Sequence, residues 1–311
     1  MKPFDIVTLT VNPALDKTAH FKGLVPEQKI RCEEPRYDAG GGGINVSKAI
    51  ARLEGESFCV FTSGGAIGSM LEELIEKESI TFKAVKTTNW TRESFVAVDD
   101  NTNSQYRFGF SGSPISEDEK KEIIQTIQKL KPKFLVLSGS LNEGLPTDYY
   151  KNIANLAKES GAKIIVDTSG EALQKVLDTG VYLIKPNVGE LAKLIGVERL
   201  EMDEVVDAAQ TLIAKGSAEI IVVSLGPQGA VLVTATQTEF VPAPNVAKKS
   251  TVGAGDSMVG AMTWALSQQN KSLKEVVQWG VACGSAATMN EGTQLFKLED
   301  AKRLFGWLQK K

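Results

Sequence analysis

Short apolar runs of strand length alternate with helix-period segments along most of this chain, and that alternation limits the fold more than any other feature. Runs at residues 5–11, 134–137, 181–184 and 220–223 each stop at a loop of small or polar residues. A fifth such loop, residues 250–256, follows an extended Pro- and Val-rich stretch. Units of this kind build a doubly wound, mostly parallel α/β sheet with helices on both faces. Such a sheet gathers its strand ends along one edge, where ligands bind. The five loops, 12–16, 138–140, 185–190, 224–229 and 250–256, are therefore expected to meet. The pattern predicts one domain over residues 1–311, with no internal repeat or long linker.

Composition narrows the chemistry. With 311 residues, net charge −3 and no basic block, the chain is not built for nucleic acid. No apolar run approaches a membrane span, and Met1-Lys2-Pro3-Phe4-Asp5 leads into a strand without a signal peptide. Cys32, Cys59 and Cys283 have neither zinc nor disulfide spacing, so a reducing cytoplasm is expected. His20 is the single histidine. It lies in a strand-like segment and reads as a surface or structural residue, so acid–base work falls to carboxylates.

Two parts of the sequence break the alternation. Residues 18–21 and 30–37 are β-type pieces separated by Gly23, Pro26 and Pro35. Similar pieces return at 94–98 and 105–110 around the turn Asp99-Asp100-Asn101. They predict one small discontinuous sheet, from about 17–38 and 90–111, acting as a lid over a site, as a dimerisation surface, or as both. Between them Gly40-Gly41-Gly42-Gly43 precedes Asn45 and an amphipathic helix at 46–53. Glycines there let a ligand touch the main chain, and Asn45 offers a donor and an acceptor to hydroxyls. Asp16 stands just past the first strand, as a ligand group or a turn aspartate. Arg92 reads equally as a phosphate clamp or a rim arginine. Asn187 and Glu190 share one face of a helix start, as a cap or as holders of water around Mg²⁺.

The sharpest signal is Ser250-Thr251-Val252-Gly253-Ala254-Gly255-Asp256-Ser257, ahead of an apolar helical segment. Glycines at a helix entrance leave first-turn N–H groups free, and the helix dipole favours an anion there. Asp256 stands in the same turn. The stretch reads either as a plain N-cap or as an anion hole beside a general base, which suits phosphoryl transfer from ATP to a hydroxyl. Neither the Walker pattern G-x-x-x-x-G-K-[ST] nor a His-Arg-Asp triplet occurs, which sets aside those kinase classes.

Taken with Lys185-Pro186-Asn187, Glu190 and Val222-Val223-Ser224-Leu225-Gly226-Pro227-Gln228-Gly229-Ala230, these motifs resemble the ribokinase-like (PfkB) sugar kinases over essentially the whole chain. The long last motif and Trp90-Thr91-Arg92 resemble the 6-phosphofructokinase branch, which also includes tagatose-6-phosphate and fructose-1-phosphate kinases. The resemblance implies ATP-dependent phosphorylation of fructose 6-phosphate at its 1-hydroxyl, with a non-catalytic binding regulator as the other class. It implies that Asp16, Gly41, Gly42 and Asn45 hold sugar hydroxyls. Arg92, Ser140, Lys29 and Arg31 would hold the sugar's phosphate, across a homodimer formed through the lid. Lys185, Asn187, Ser224, Gly226 and Gly229 would contact ATP, with Val281 and Ser285 near adenine. Glu190 would organise Mg²⁺ through water. Ser250, Val252, Ala287, Asn290, Gly292 and Gln294 match a monovalent-cation (K⁺) site. Two departures stand out. Gln294 occupies a family arginine position, and Leu141-Asn142-Glu143-Gly144 carries no Pro-Pro pair.

Overall fold

The computed structural model describes residues 4–311, so Met1–Pro3 lie outside the described residues. In chain order the elements are β1 (Ile6–Thr10), β2 (Ala14–Phe21), β3 (Arg36–Gly40), α1 (Gly42–Arg52), β4 (Phe58–Ser63), α2 (Gly65–Lys77), β5 (Thr81–Lys86), β6 (Arg92–Asp99) and β7 (Ser104–Gly109). They continue as α3 (Glu117–Leu130), β8 (Phe134–Ser138), α4 (Tyr149–Glu159), β9 (Lys163–Asp167), α5 (Gly170–Leu177), β10 (Val181–Ile184), α6 (Val188–Ile195), α7 (Val205–Ala214) and β11 (Ala218–Ser224). A 3₁₀ turn at Gly226–Gln228 leads to β12 (Gly229–Val233), β13 (Thr238–Pro242), α8 (Ala254–Ser267), α9 (Leu273–Thr288) and α10 (Leu298–Leu308).

Nine strands form the main sheet in the order β13-β12-β11-β10-β9-β8-β1-β4-β5. All of its pairs are parallel except β11–β12 and β12–β13. The doubly wound expectation is borne out. Strand side chains alternate between faces, and here both faces are buried. Leu135 and Leu137 of β8 join one core cluster, while Phe134 and Val136 join the other. Ile221 and Val223 of β11 part from Ile220 and Val222 in the same way. That double burial explains why the central strands read as unbroken apolar runs.

The second sheet runs β3-β2-β6-β7, from both halves of the expected lid. Its central pair is parallel, with Asp16 opposite Ser94 and Phe21 opposite Asp99. Several boundaries differ from the sequence reading. The strand expected at residues 30–37 starts only at Arg36, after Pro35, and runs on to Gly40 because Ala14 of β2 pairs with Gly40. Asp16 accordingly lies inside β2 and not on a turn. Gly40 ends β3, Gly41 turns with φ 120°, and α1 starts at Gly42, four residues before the expected Val46. Strand β5 and helix α10 had no counterpart in the sequence reading. Among the described residues no helix is long and apolar enough to cross a membrane. His20 pairs with Asp100 at 2.8 Å on the second sheet, away from the strand-end loops.

Candidate active site

The entrance to α8 is built as the sequence suggested. Gly253 is its N-cap with φ 73°, a left-handed conformation that favours glycine. A Cβ there would also press on Leu295 Cδ2 at 2.7 Å. No side chain caps the first turn, so its amides remain available to an anion. Ala254 N–H is engaged only at a long 3.4 Å with Thr251 O.

Asp256 sits in this turn, enclosed on most sides, and accepts a 2.9 Å hydrogen bond from Asn45 Nδ2. Burial, then the carboxylate of Asp167, raises its pKa to about 7, against the pull of Asn45 and Lys185. Lys185 Nζ lies 3.4 Å from Asp167 Oδ1. A Cβ at Gly255 would lie 3.3 Å from that ammonium, so Lys185 stands against the mouth of α8. Burial by itself would lower the pKa of Lys185, but Asp167, Glu190 and Asp256 hold it above the usual value. The cluster offers a carboxylate raised toward neutral pKa, a fixed cation and uncapped amides. Those are the parts that accept a hydroxyl proton and stabilise a phosphoryl group in transfer. Asp167 was not singled out from the sequence, although it too ends an apolar strand.

Toward the lid, Asn45 is buried and its Oδ1 has no protein partner among the described residues. A ligand hydroxyl would supply the missing donor. Gly42 packs against β8, where a Cβ would collide with Ser138 Oγ and lie 2.8 Å from Gly139 N. Gly40 leaves room for the carboxylate of Asp16. Burial raises Asp16 to a pKa of about 6, with Arg92 opposing, Asp38 adding and Lys48 opposing. Arg92 donates through Nε to Asn12 Oδ1 at 3.0 Å and through Nη2 to Asn12 O at 3.4 Å. Asn12 Nδ2 donates to Ser140 Oγ at 3.1 Å. Asn12, which the sequence reading passed over, thus joins two expected phosphate ligands at a hollow of about 410 Å³. Lys29 and Arg31 do not join them in one chain; they line a separate hollow beside the second sheet with His20 and Asp100.

On the other side of α8 a cleft of about 560 Å³ is lined by Asn187, Ser224, Gly226, Gly229, Gly255, Val281 and Ser285. It also takes in Ala243, Pro244, Asn245, Val246, Lys248, Met258, Gly284 and Thr288, which sequence reasoning missed. The extended stretch before the anion hole was the available signal. Asn187 and Glu190 form a capping box, each side chain bonding the other's N–H at 2.9 Å. Ser250 is buried and donates to Gly292 O at 3.0 Å, while Asn290 Nδ2 donates to Ala286 O at 3.1 Å. All six expected cation residues, Ser250, Val252, Ala287, Asn290, Gly292 and Gln294, are uncharged.

Residues 8–301 match the pfkB family carbohydrate kinase profile. The chain belongs to the pfkB family of carbohydrate kinases. This pfkB kinase is 41% identical over 307 residues to ATP-dependent 6-phosphofructokinase isozyme 2 of Escherichia coli K12, covering 98% of this chain and 99% of that one. A crystal structure of phosphofructokinase-2 from Escherichia coli in complex with potassium superposes with TM-score 0.95 at 41% identity, covering 98% and 99% of the two chains. A second, in complex with fructose-6-phosphate, gives 0.93 at 39% over the same shares.

The two raised carboxylates set a pH dependence for this pfkB kinase. With Asp256 as the proton acceptor, which must then be ionised, kcat/KM is expected to rise with pH through about 7 and level above it. Stability runs the other way. Asp256 and Asp16 bind protons more tightly folded than unfolded, so their contribution is most favourable below pH 4 and declines as pH rises toward 7. A pH profile of kcat/KM with its acid limb at the ordinary carboxylate value, near 4, would contradict this placement of Asp256.

Proposed function

We propose that this kinase transfers the γ-phosphoryl group of ATP to the 1-hydroxyl of fructose 6-phosphate, as a single domain carrying its lid. The observation that carries the reading is Asp256, held by Asn45 at an uncapped helix mouth and facing Lys185. Asp256 takes the proton of the attacking hydroxyl. The amides of Gly253, Ala254 and Gly255, with Lys185, stabilise charge on the phosphoryl group. Asp16, Gly41, Gly42 and Asn45 hold sugar hydroxyls, and Arg92 with Ser140 holds the phosphate. ATP lies in the larger cleft along Asn187, Ser224, Gly226 and Gly229, its base near Val281 and Ser285. The similarity to a phosphofructokinase-2 crystallised with fructose-6-phosphate supports the choice of sugar.

Mg²⁺ fits as a partner of the nucleotide. Among the described residues no group of three or more His, Cys, Asp or Glu side chains forms a cage. Glu190 has one carboxylate oxygen on Asn187 N–H, which leaves the other for a hydrated ion. When bound, the ion neutralises charge on the phosphates. The neutral oxygens around Ser250, Val252, Ala287, Asn290 and Gly292, with Gln294 alongside, suit K⁺. Dimerisation through the lid is supported by β7, a fully exposed edge strand bearing Tyr106 and Phe108, with Phe110 just beyond it. In such a dimer Lys29 and Arg31 approach the phosphate from the second copy. The protein is expected to act in the cytoplasm.

The test is kcat/KM for fructose 6-phosphate, tagatose 6-phosphate and fructose 1-phosphate with ATP. The reading expects fructose 6-phosphate to lead by at least about tenfold, the discrimination one well-placed polar contact supplies. A lead by another sugar phosphate overturns the assignment of substrate. Absence of ADP release with all three revives a non-catalytic regulator.

A further inference from the structure

The hollow beside Arg92 and Ser140 contains one charged group that the mechanism does not use. Its lining includes Arg92 and Glu143 as its only charged side chains. Glu143 is exposed, and among the described residues no ion pair or hydrogen bond engages its carboxylate. The backbone beneath it is tied down. Glu143 N–H donates to Gly112 O at 3.3 Å, a bond that a proline there could not make. Next to it, buried Asn142 donates through Nδ2 to Ser113 O at 2.9 Å, and Asn12 Nδ2 donates to Leu141 O at 3.2 Å. Ser113 O can only accept, so the orientation of the Asn142 amide is determined. Residues 141–143 are thereby bound to residues 112–113 and to the same Asn12 that carries Arg92.

We propose that Glu143 is a residue that weakens binding of the dianionic phosphate end of the sugar. The proposal rests on the reading that this hollow takes that phosphate. A dianion there meets one guanidinium and one carboxylate on the same chain, so the carboxylate opposes the attraction of Arg92. The carboxylate sets how strongly the enzyme holds a sugar phosphate before the lid and any second copy contribute. It is remote from Asp256 in role, since it touches neither the reacting hydroxyl nor the nucleotide cleft.

The experiment compares Glu143→Gln and Glu143→Asp with the wild type, using fructose 6-phosphate and ATP at low and high salt. Glu143→Gln is expected to lower KM for fructose 6-phosphate about three- to tenfold at low ionic strength, the size of one unscreened charge contact at a surface. The gain should shrink in 0.5 M salt, roughly as the Debye length falls below the contact distance. The KM for ATP and kcat should not move, and Glu143→Asp should resemble the wild type. An unchanged sugar KM in Glu143→Gln overturns the proposal, as does a change in both KM values together, which would mark a purely structural loop residue. Arg92→Ala separates this failure from that of the underlying reading. If Arg92→Ala leaves the sugar KM unchanged, the phosphate lies elsewhere and both fall. If it raises that KM while Glu143→Gln has no effect, only the role of Glu143 falls.

Discussion

Asp256→Asn is expected to lower kcat by about a thousandfold, within the range for losing a positioned general base, while both substrates still bind. The replacement keeps the size of the side chain and still offers Asn45 Nδ2 an acceptor in place of the 2.9 Å bond to Oδ2. What it loses is the ability to take a proton. Stability should move in the opposite direction. The carboxylate is held near pKa 7 because burial and Asp167 disfavour its charge, so at pH 8 the native state carries a charge it would rather shed. The substitution removes that penalty. Its melting temperature should exceed the wild type's at pH 8 and match it more closely at pH 5. Turnover and calorimetry at the two pH values check both halves. An undiminished kcat would remove Asp256 from the chemistry altogether.

Lys185→Met is the second large effect. It is expected to lower kcat by roughly a hundredfold, comparable to losing one preorganised group from a charge-stabilising site. Lys185 is 3.4 Å from Asp167 and stands against Gly255, where the transferring group would pass. Removing the ammonium also leaves Asp167 and Asp256 facing one another without their shared cation. The acid limb of the kcat/KM profile should therefore move to higher pH, because Lys185 is one of the groups that lowers the pKa of Asp256. Breaking a buried pair leaves an uncompensated carboxylate, so the melting temperature should fall at neutral pH and recover as the solution is acidified. A variant with normal kcat and an unshifted limb would show that the lysine serves packing alone. The contrast with Asp256→Asn is diagnostic, since one substitution stabilises the fold at high pH and the other destabilises it.

The sequence by itself was enough for the sheet, its winding and most of the strand-end loops. Phe134–Ser138 and residues 220–223 are buried on both faces, and that burial writes an apolar run that needs no partner to be recognised. The mouth of α8 was equally legible, because Gly253, Gly255 and Asp256 act within one turn and their chemistry is local. Strand β5 escaped notice because its burial is weak, with Val85 the one fully buried residue of Thr81–Lys86. Only the tertiary structure decided that Asp16 lies in a strand paired to Ser94, that Asn45 reaches Asp256, and that Asp167 holds Lys185. The residues of the first two pairs are separated by 78 and 211 positions, and no local propensity records which distant partner a side chain will meet. The pKa of Asp256 follows from the same cause, since its neighbours arrive from β9, β10 and α1 once the sheet has brought their ends together.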